Sequence, residues 1–172
     1  MKKIFIILSM ALVMASACTK DNKAAENLIK LANDYKNTAY IIEGQKIQLK
    51  NGLAEVAASG AGQTAYQYFG NEVSGDFNGD GTADKAFLLS VNTGGSGTFY
   101  YIVAALKTEQ GFIGTNAVFL GDRIAPQTSE FKDGKIIVNF AERKSGELMS
   151  ASPSVGVSKY FKVANGELVE IK

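Results

Sequence analysis

Residues 76–91 read DFNGDGTADKAFLLSV, and this stretch indicates the fold class. Its first nine residues form a polar loop with glycines at its fourth and sixth positions, and the loop leads directly into the apolar run 85–91. Asn-Gly and Asp-Gly pairs are favoured in turns, and short apolar runs beside such pairs are typical of β-strands. The junction therefore predicts a loop that enters a strand.

From residue 39 onward, short β-like runs alternate with Gly, Asn and Asp. Asp133-Gly134 and Asn165-Gly166 predict two tight hairpins, because these pairs carry the strongest short-range hairpin signal. We predict a mainly β domain over 39–172, built as a compact antiparallel sandwich or a barrel-like sheet. The predicted strands are 40–42, 46–49, 66–69, 85–91, 98–107, 117–120, 135–140, 158–163 and 168–171.

The first 17 residues have the pattern of a secretory signal peptide. Two lysines precede an apolar run over 4–14, and small residues follow this run. The apolar run is too short to span a membrane. Because Cys18 comes next, the segment resembles a bacterial lipobox. That resemblance implies that Cys18 receives a lipid and anchors the chain. The alternative is ordinary secretion with an incidental thiol at Cys18.

Residues 18–38 are predicted to tether the lipid to the β domain. Ala25, Leu28, Ala32 and Tyr35 recur at helical spacing, which predicts a short N-terminal helix over 21–37. The alternative is a disordered tether, because chain termini are often loosely held.

The composition excludes several classes of function. The chain has 172 residues, no histidine, one cysteine and a formal net charge of +1. Ser-His-Asp and Cys-His catalytic systems and histidine zinc sites are therefore absent. A single cysteine allows no intramolecular disulfide, and a near-neutral chain without a basic block gives no basis for nucleic-acid binding.

The loop 76–84 has the ligand spacing of a calcium site. Asp76, Asn78, Asp80 and Asp84 carry oxygens at positions 1, 3, 5 and 9, and the Thr82 carbonyl is a fifth candidate ligand. Ca²⁺ prefers six to eight oxygen ligands, drawn from carboxylates, amides, carbonyls and water. The alternative is a polar turn between strands without a metal.

The loop differs from an EF-hand, since position 12 is Phe87 instead of Glu and the flanking sequence is typical of strands. It resembles the calcium loop of integrin-type FG-GAP repeats, which joins two β-strands. The resemblance covers the loop and the strand that follows. With one motif and no internal repeat, the chain is too short for a propeller.

Residues 94–101, 114–127 and 153–160 resemble uncharacterised bacterial lipoproteins, a resemblance that implies no activity. Asp122–Arg123 and Glu142–Arg143 are predicted to be ion pairs. The alternative is that Arg123 and Arg143 bind a partner, because a guanidinium presents a rigid fork of donors to carboxylates or phosphates.

Together these patterns predict a lipoprotein of the bacterial cell envelope, located at the outer membrane if the host is Gram-negative. It would bind the membrane through lipid on Cys18 and would carry a structural Ca²⁺. Its role would be that of a non-catalytic binding or envelope-maintenance module with an envelope protein or glycan as partner. The alternative is a small hydrolase that uses carboxylates together with the metal.

Overall fold

The computed structural model describes residues 34–57 and 62–172. These residues belong to one compact unit, 32–172. The signal peptide, Cys18 and most of the predicted helix 21–37 lie outside the described residues. The described part of that window holds only a 3-10 helix, Tyr35–Asn37, in which the Asp34 side chain accepts a hydrogen bond from the Lys36 backbone N–H at 2.9 Å. The predicted short α-helix is therefore not seen there.

Twelve strands run through the described residues and pair in antiparallel fashion. They are β1 (Ala39–Ile42), β2 (Gln45–Gln48), β3 (Leu53–Ala57), β4 (Gln63–Gly75), β5 (Asp84–Asn92), β6 (Phe99–Thr108), β7 (Gly111–Gly114), β8 (Val118–Asp122), β9 (Ala125–Lys132), β10 (Lys135–Glu142), β11 (Val155–Ala164) and β12 (Glu167–Ile171). β1 and β2 form a hairpin, β3-β4-β5-β6-β7 with β8 beside β6 form a six-stranded sheet, and β12-β11-β10-β9 form a four-stranded sheet.

The central pair β5–β6 is buried on both faces. This explains its nearly continuous apolar sequence, because a strand covered on one side only would alternate apolar and polar residues. Ala86 and Leu88 contribute to one core, and Phe87 and Leu89 contribute to the other. The six-stranded sheet is therefore the middle layer of three.

The larger core lies between the two sheets. Its buried residues come from β5, β6, β8 and the four-stranded sheet, together with Phe77 and Ile124. The second core lies beneath the β1–β2 hairpin, where Tyr40 meets the edge of Phe87 with ring centroids 5.5 Å apart. Edge-to-face contacts of this kind add to the free energy gained from burying the rings.

The prediction of a mainly β antiparallel sandwich is confirmed, and the barrel-like alternative is wrong. The sheets pack face to face and do not close on one another. Two separate hydrophobic faces on β5–β6 explain this outcome, because each face needs its own covering layer.

Both predicted hairpin turns are confirmed. Lys132 pairs with Lys135 and Ala164 pairs with Glu167, so each turn has two central residues. Asp133 and Asn165 have φ of 52° and 53°, and the glycine after each also has positive φ. Positive φ at both central positions is the geometry of the type I′ turn, whose twist matches that of the strands.

β4 is longer than predicted and bends at Gly70 and Asn71, where its register with β5 shifts. Beyond the bend, the strand passes close to β9. The Asn71 side-chain amide donates to the Gln127 carbonyl at 3.1 Å. A Cβ on Gly75 would lie 2.2 Å from a ring carbon of Phe131, so only glycine allows this approach. After this bend, β4 ends at Gly75 and the loop 76–83 begins.

Candidate functional site

The loop between β4 and β5 is held together by its own acidic side chains. The Asp76 carboxylate accepts hydrogen bonds from three backbone N–H groups, those of Gly79 at 2.7 Å, Asp80 at 3.1 Å and Gly81 at 2.9 Å. Gly81 has φ of 84°, a conformation that glycine adopts readily, and it supplies the sharp bend of the loop. The loop joins β4 to β5.

Asn78 and Asp80 form the outer part of this loop. The Asn78 side-chain amide donates to Asp80 Oδ2 at 2.9 Å, and Asp80 Oδ1 accepts from the Thr82 backbone N–H at 2.7 Å. The hydrogen bond from Asn78, followed by those from Thr82, holds the pKa of Asp80 below its usual value. Asp80 is therefore kept as an anion, the form that a cation requires.

Asp84 is fully buried and connects the loop to the central sheet. Its Oδ2 accepts from the Phe77 backbone N–H at 2.9 Å, and its Oδ1 accepts from the Lys107 backbone N–H at 2.8 Å. Burial raises its pKa, and the charges of Asp80 and Asp76 raise it further, against the lowering effect of the two N–H donors. Three carboxylates therefore crowd one short loop.

The oxygen ligands that the loop offers suit Ca²⁺, although its carboxylates accept hydrogen bonds from backbone N–H groups in this structure. Within residues 34–57 and 62–172, no three acidic, histidine or cysteine side chains are arranged as a metal-binding cluster. Each carboxylate offers about four acceptor sites, so its hydrogen bonds leave lone pairs for a cation. The mutual repulsion at Asp84 is the feature that a bound cation would relieve.

Arg123 and Arg143 lie near each other but make different contacts. Arg123 forms the predicted ion pair, with its Nη2 2.6 Å from Asp122 Oδ2. Arg143 donates instead to the carbonyls of Ala151 at 2.7 Å and Asp122 at 3.3 Å. The predicted Glu142–Arg143 ion pair is absent from the ion pairs of the described residues. Both arginines are engaged within their own chain, and Arg143 fastens the loop that follows β10 through Ala151.

A cleft of about 570 Å³ opens beside the β1–β2 hairpin. It lies at the end of β5 opposite the acidic loop, where Val91 and Thr93 contribute to its wall. Aromatic rings form much of the remaining lining, and they come from four positions on three strands: Tyr66, Phe99, Tyr101 and Phe119.

Among the described residues that line this cleft, Glu43 supplies the only carboxylate. Its Oε1 accepts a hydrogen bond from the Tyr101 hydroxyl at 2.5 Å. The pKa of Tyr101 is raised mainly by burial and further by this hydrogen bond. The pKa of Tyr66 is raised mainly by burial and further by the negative charge of Glu43. Both phenols therefore stay protonated at neutral pH, and the proton of the Tyr101 hydroxyl is donated to Glu43.

Sequence reasoning missed this cleft. Glu43 and Gly44 lie in the turn between β1 and β2, and the aromatic residues lie on strands, so neither stands out in the sequence of a β domain. The sequence signal that could have indicated the cleft was a Glu, residue 43, at the first central position of a two-residue turn. In the two predicted type I′ turns, Asp133 and Asn165 occupy the first central position, as that turn prefers. Glu43 occupies the same position with φ of 50°, which is unusual for a long side chain.

Comparison with protein-family models, with curated proteins and with solved structures finds no match to this chain. A search of the described residues for a helix long and apolar enough to cross a membrane also finds none.

Proposed function

We propose that this protein is a lipid-anchored lipoprotein of the bacterial cell envelope that acts as a non-catalytic binding module. The aromatic cleft is its ligand site, and the loop 76–84 binds a structural Ca²⁺. The anchor is proposed from the signal sequence and Cys18, and the other two roles are supported by the geometry of the described residues.

The composition of the cleft carries the proposal of a binding role. Its lining contains several aromatic rings and one carboxylate, Glu43. Hydrolysis by carboxylates typically needs a pair, one to donate a proton and one to act as base or nucleophile. Concave pockets lined by aromatic residues with few polar groups are the usual form of ligand sites. The lining therefore favours recognition over the hydrolase alternative.

The acidic loop is the second element of the proposal. Asp76, Asn78, Asp80 and Asp84, with the Thr82 carbonyl, would hold Ca²⁺ there. The ion would neutralise three crowded carboxylates and fix the junction between β4 and β5. Since Asp84 also accepts from the Lys107 N–H in β6, a cation at the loop would strengthen contacts that already reach the central sheet.

Metabolic labelling with palmitate tests the anchor. The wild-type protein is expected to incorporate the label and to fractionate with membranes, whereas Cys18→Ser should lose the label. Equal labelling of the two proteins would contradict lipid attachment at Cys18. Thr19→Ser is a matched control, because it alters the adjacent residue and leaves the thiol in place.

An activity screen separates the binding role from the alternative. Purified protein is expected to turn over none of a panel of peptidoglycan, ester and phosphate substrates, with or without Ca²⁺. Turnover that is abolished by a single Asp or Glu substitution outside residues 76–84 would establish the hydrolase instead.

A further inference from the structure

We propose that the cleft beside the β1–β2 hairpin binds an organic cation, a primary ammonium or guanidinium group carried on an apolar body. This inference rests on the proposed binding role and specifies its ligand. It is drawn from the charge of the cleft, the conformation of Glu43 and the arrangement of the rings.

The charge of the cleft is negative and is not balanced by its lining. Glu43 is the only charged residue among the twelve that line it, and the remainder are apolar, aromatic, Thr or Gln. Glu43 takes part in none of the ion pairs of the described residues. Its one hydrogen bond to a side chain comes from a neutral phenol, Tyr101. The carboxylate therefore keeps both its charge and its remaining acceptor sites for a ligand.

The conformation of Glu43 places this charge at the cleft. Its φ of 50° lies in the left-handed region, which long side chains rarely adopt. Asn or Asp would suit the turn better but would be one methylene shorter than Glu43. The hydrogen bond to Tyr101 then fixes the carboxylate against an aromatic wall. Unfavourable backbone conformations of this kind concentrate at functional sites.

The rings complete a site for a cation. Phe119 lies 5.3 Å from Tyr101 and 6.5 Å from Phe99, measured between ring centroids. The Phe119 side chain is 47% exposed although it is apolar, so part of its ring is accessible to a ligand. The faces of aromatic rings attract ammonium and guanidinium groups, while the rings also bury the apolar part of such a ligand. A neutral ligand would gain the apolar contacts with the rings but not the attraction to the ring faces and to Glu43.

The size of the cleft suits either of two sources of this chemistry. A volume of about 570 Å³ lies within the range of small-molecule sites. The ligand is thus either a free small amine or the Lys or Arg side chain of a partner protein. Both present the same cationic group to Glu43, and a titration with two probes distinguishes them.

Isothermal titration of the full-length protein in a non-ionic polyoxyethylene detergent tests the proposal. The probes are 3-phenylpropylammonium, its neutral counterpart 3-phenylpropan-1-ol, the dipeptide N-acetyl-Phe-Lys-amide, and cellobiose as a neutral saccharide. We expect the ammonium to bind at least about tenfold more tightly than the alcohol. Tighter binding of the dipeptide would identify a protein side chain as the source, and tighter binding of the free amine would identify a small molecule.

Two variants locate the interaction. Glu43→Gln should weaken ammonium binding about tenfold and leave the alcohol unchanged, because it removes the charge but keeps an acceptor for Tyr101. Glu109→Gln is the matched control, since it removes the same charge from an exposed turn at the opposite end of β6. Phe119→Leu keeps apolar surface without a ring and should weaken ammonium binding about threefold.

Equal affinity for ammonium and alcohol, or Glu43→Gln binding like the wild type, would overturn the proposal. A preference for cellobiose, or no binding of any probe, would also overturn it. None of these results would alter palmitate labelling of Cys18 or Ca²⁺ binding at the loop, so failure here is distinguishable from failure of the proposed function.

Discussion

The two ends of β5 use carboxylates in opposite ways. At the start of the strand, Asp76 and Asp84 together accept five backbone hydrogen bonds, and the loop is closed by its own main chain. At the other end, Glu43 accepts one bond from a phenol and faces a cleft. The two ends of the nine-residue strand β5 are separated by about 26 Å, at roughly 3.3 Å per residue.

This difference separates architecture from recognition. A carboxylate that accepts several backbone N–H groups fixes the path of the chain, and its removal leaves those donors without their partner. A carboxylate with spare acceptor sites beside aromatic rings contributes little to the fold and is available to a ligand. We therefore expect substitutions at the loop to change stability, and substitutions at the cleft to change binding.

The largest expected effect is that of Asp84→Ala. It removes the acceptor of the buried Phe77 N–H and the partly buried Lys107 N–H and should lower the free energy of unfolding by about 3 kcal/mol. Urea denaturation in calcium-free buffer measures this. Glu43→Ala is the comparison at the cleft end and should lower it by less than about 1 kcal/mol. Similar losses in the two variants would break the distinction between the ends.

Ca²⁺ should stabilise the protein through the acidic loop at the start of β5 and should have no effect through the cleft at its other end. For a dissociation constant of about 0.1 mM, 2 mM Ca²⁺ would stabilise the folded protein by about 1.8 kcal/mol through mass action. Thermal unfolding with Ca²⁺ or with EDTA measures the shift. Asp80→Ala should abolish it, because Asp80 is exposed and its loss spares the fold. Glu55→Gln removes one charge from an exposed position on β3, next to the cleft end of β5, and should retain the full shift.

A smaller effect is expected from Asp122, a paired carboxylate at the cleft end of β6. Hydrogen bonding from Arg123 holds its pKa below the usual value. A lowered pKa in the folded state gives stability that is present above the usual pKa and is lost as the pH falls through the lower value. Asp122→Asn should therefore be about 1 kcal/mol less stable than wild type at pH 7. The difference should shrink below about pH 4.

Urea denaturation across the pH range measures this effect, and a difference that is independent of pH would contradict the assigned ion pair.

The sequence predicted the strands whose pattern is local. The run 85–91 is confirmed as β5, and 135–140 is confirmed within β10. It missed β3, β7 and β9. β9 contains Pro126 and a polar stretch after it, because it is the edge strand of its sheet and tolerates a residue without an N–H. Most of β4 was also missed, since Gly70 and Asn71 interrupt its pattern at the bend.

The acidic loop was predictable because its residues are adjacent in sequence. The prediction that it binds Ca²⁺ stays a prediction, and so does lipid attachment at Cys18. The cleft could not be predicted, because Glu43, Tyr66 and Tyr101 come from separate elements that only tertiary packing brings together. Alternation of polar and apolar residues identifies a strand, yet it cannot show which buried ring also lines an opening.

One experiment tests the central claim, that the two ends of β5 have separate roles. It follows the backbone amide resonances of one ¹⁵N-labelled full-length sample during titration first with Ca²⁺ and then with 3-phenylpropylammonium. Our account predicts that Ca²⁺ shifts the resonances of Phe77, Gly79, Gly81 and Lys107, while the ammonium shifts those of Glu43 and Thr93. Shifts of the same residues by both ligands, or no shift at the loop in millimolar Ca²⁺, would contradict it.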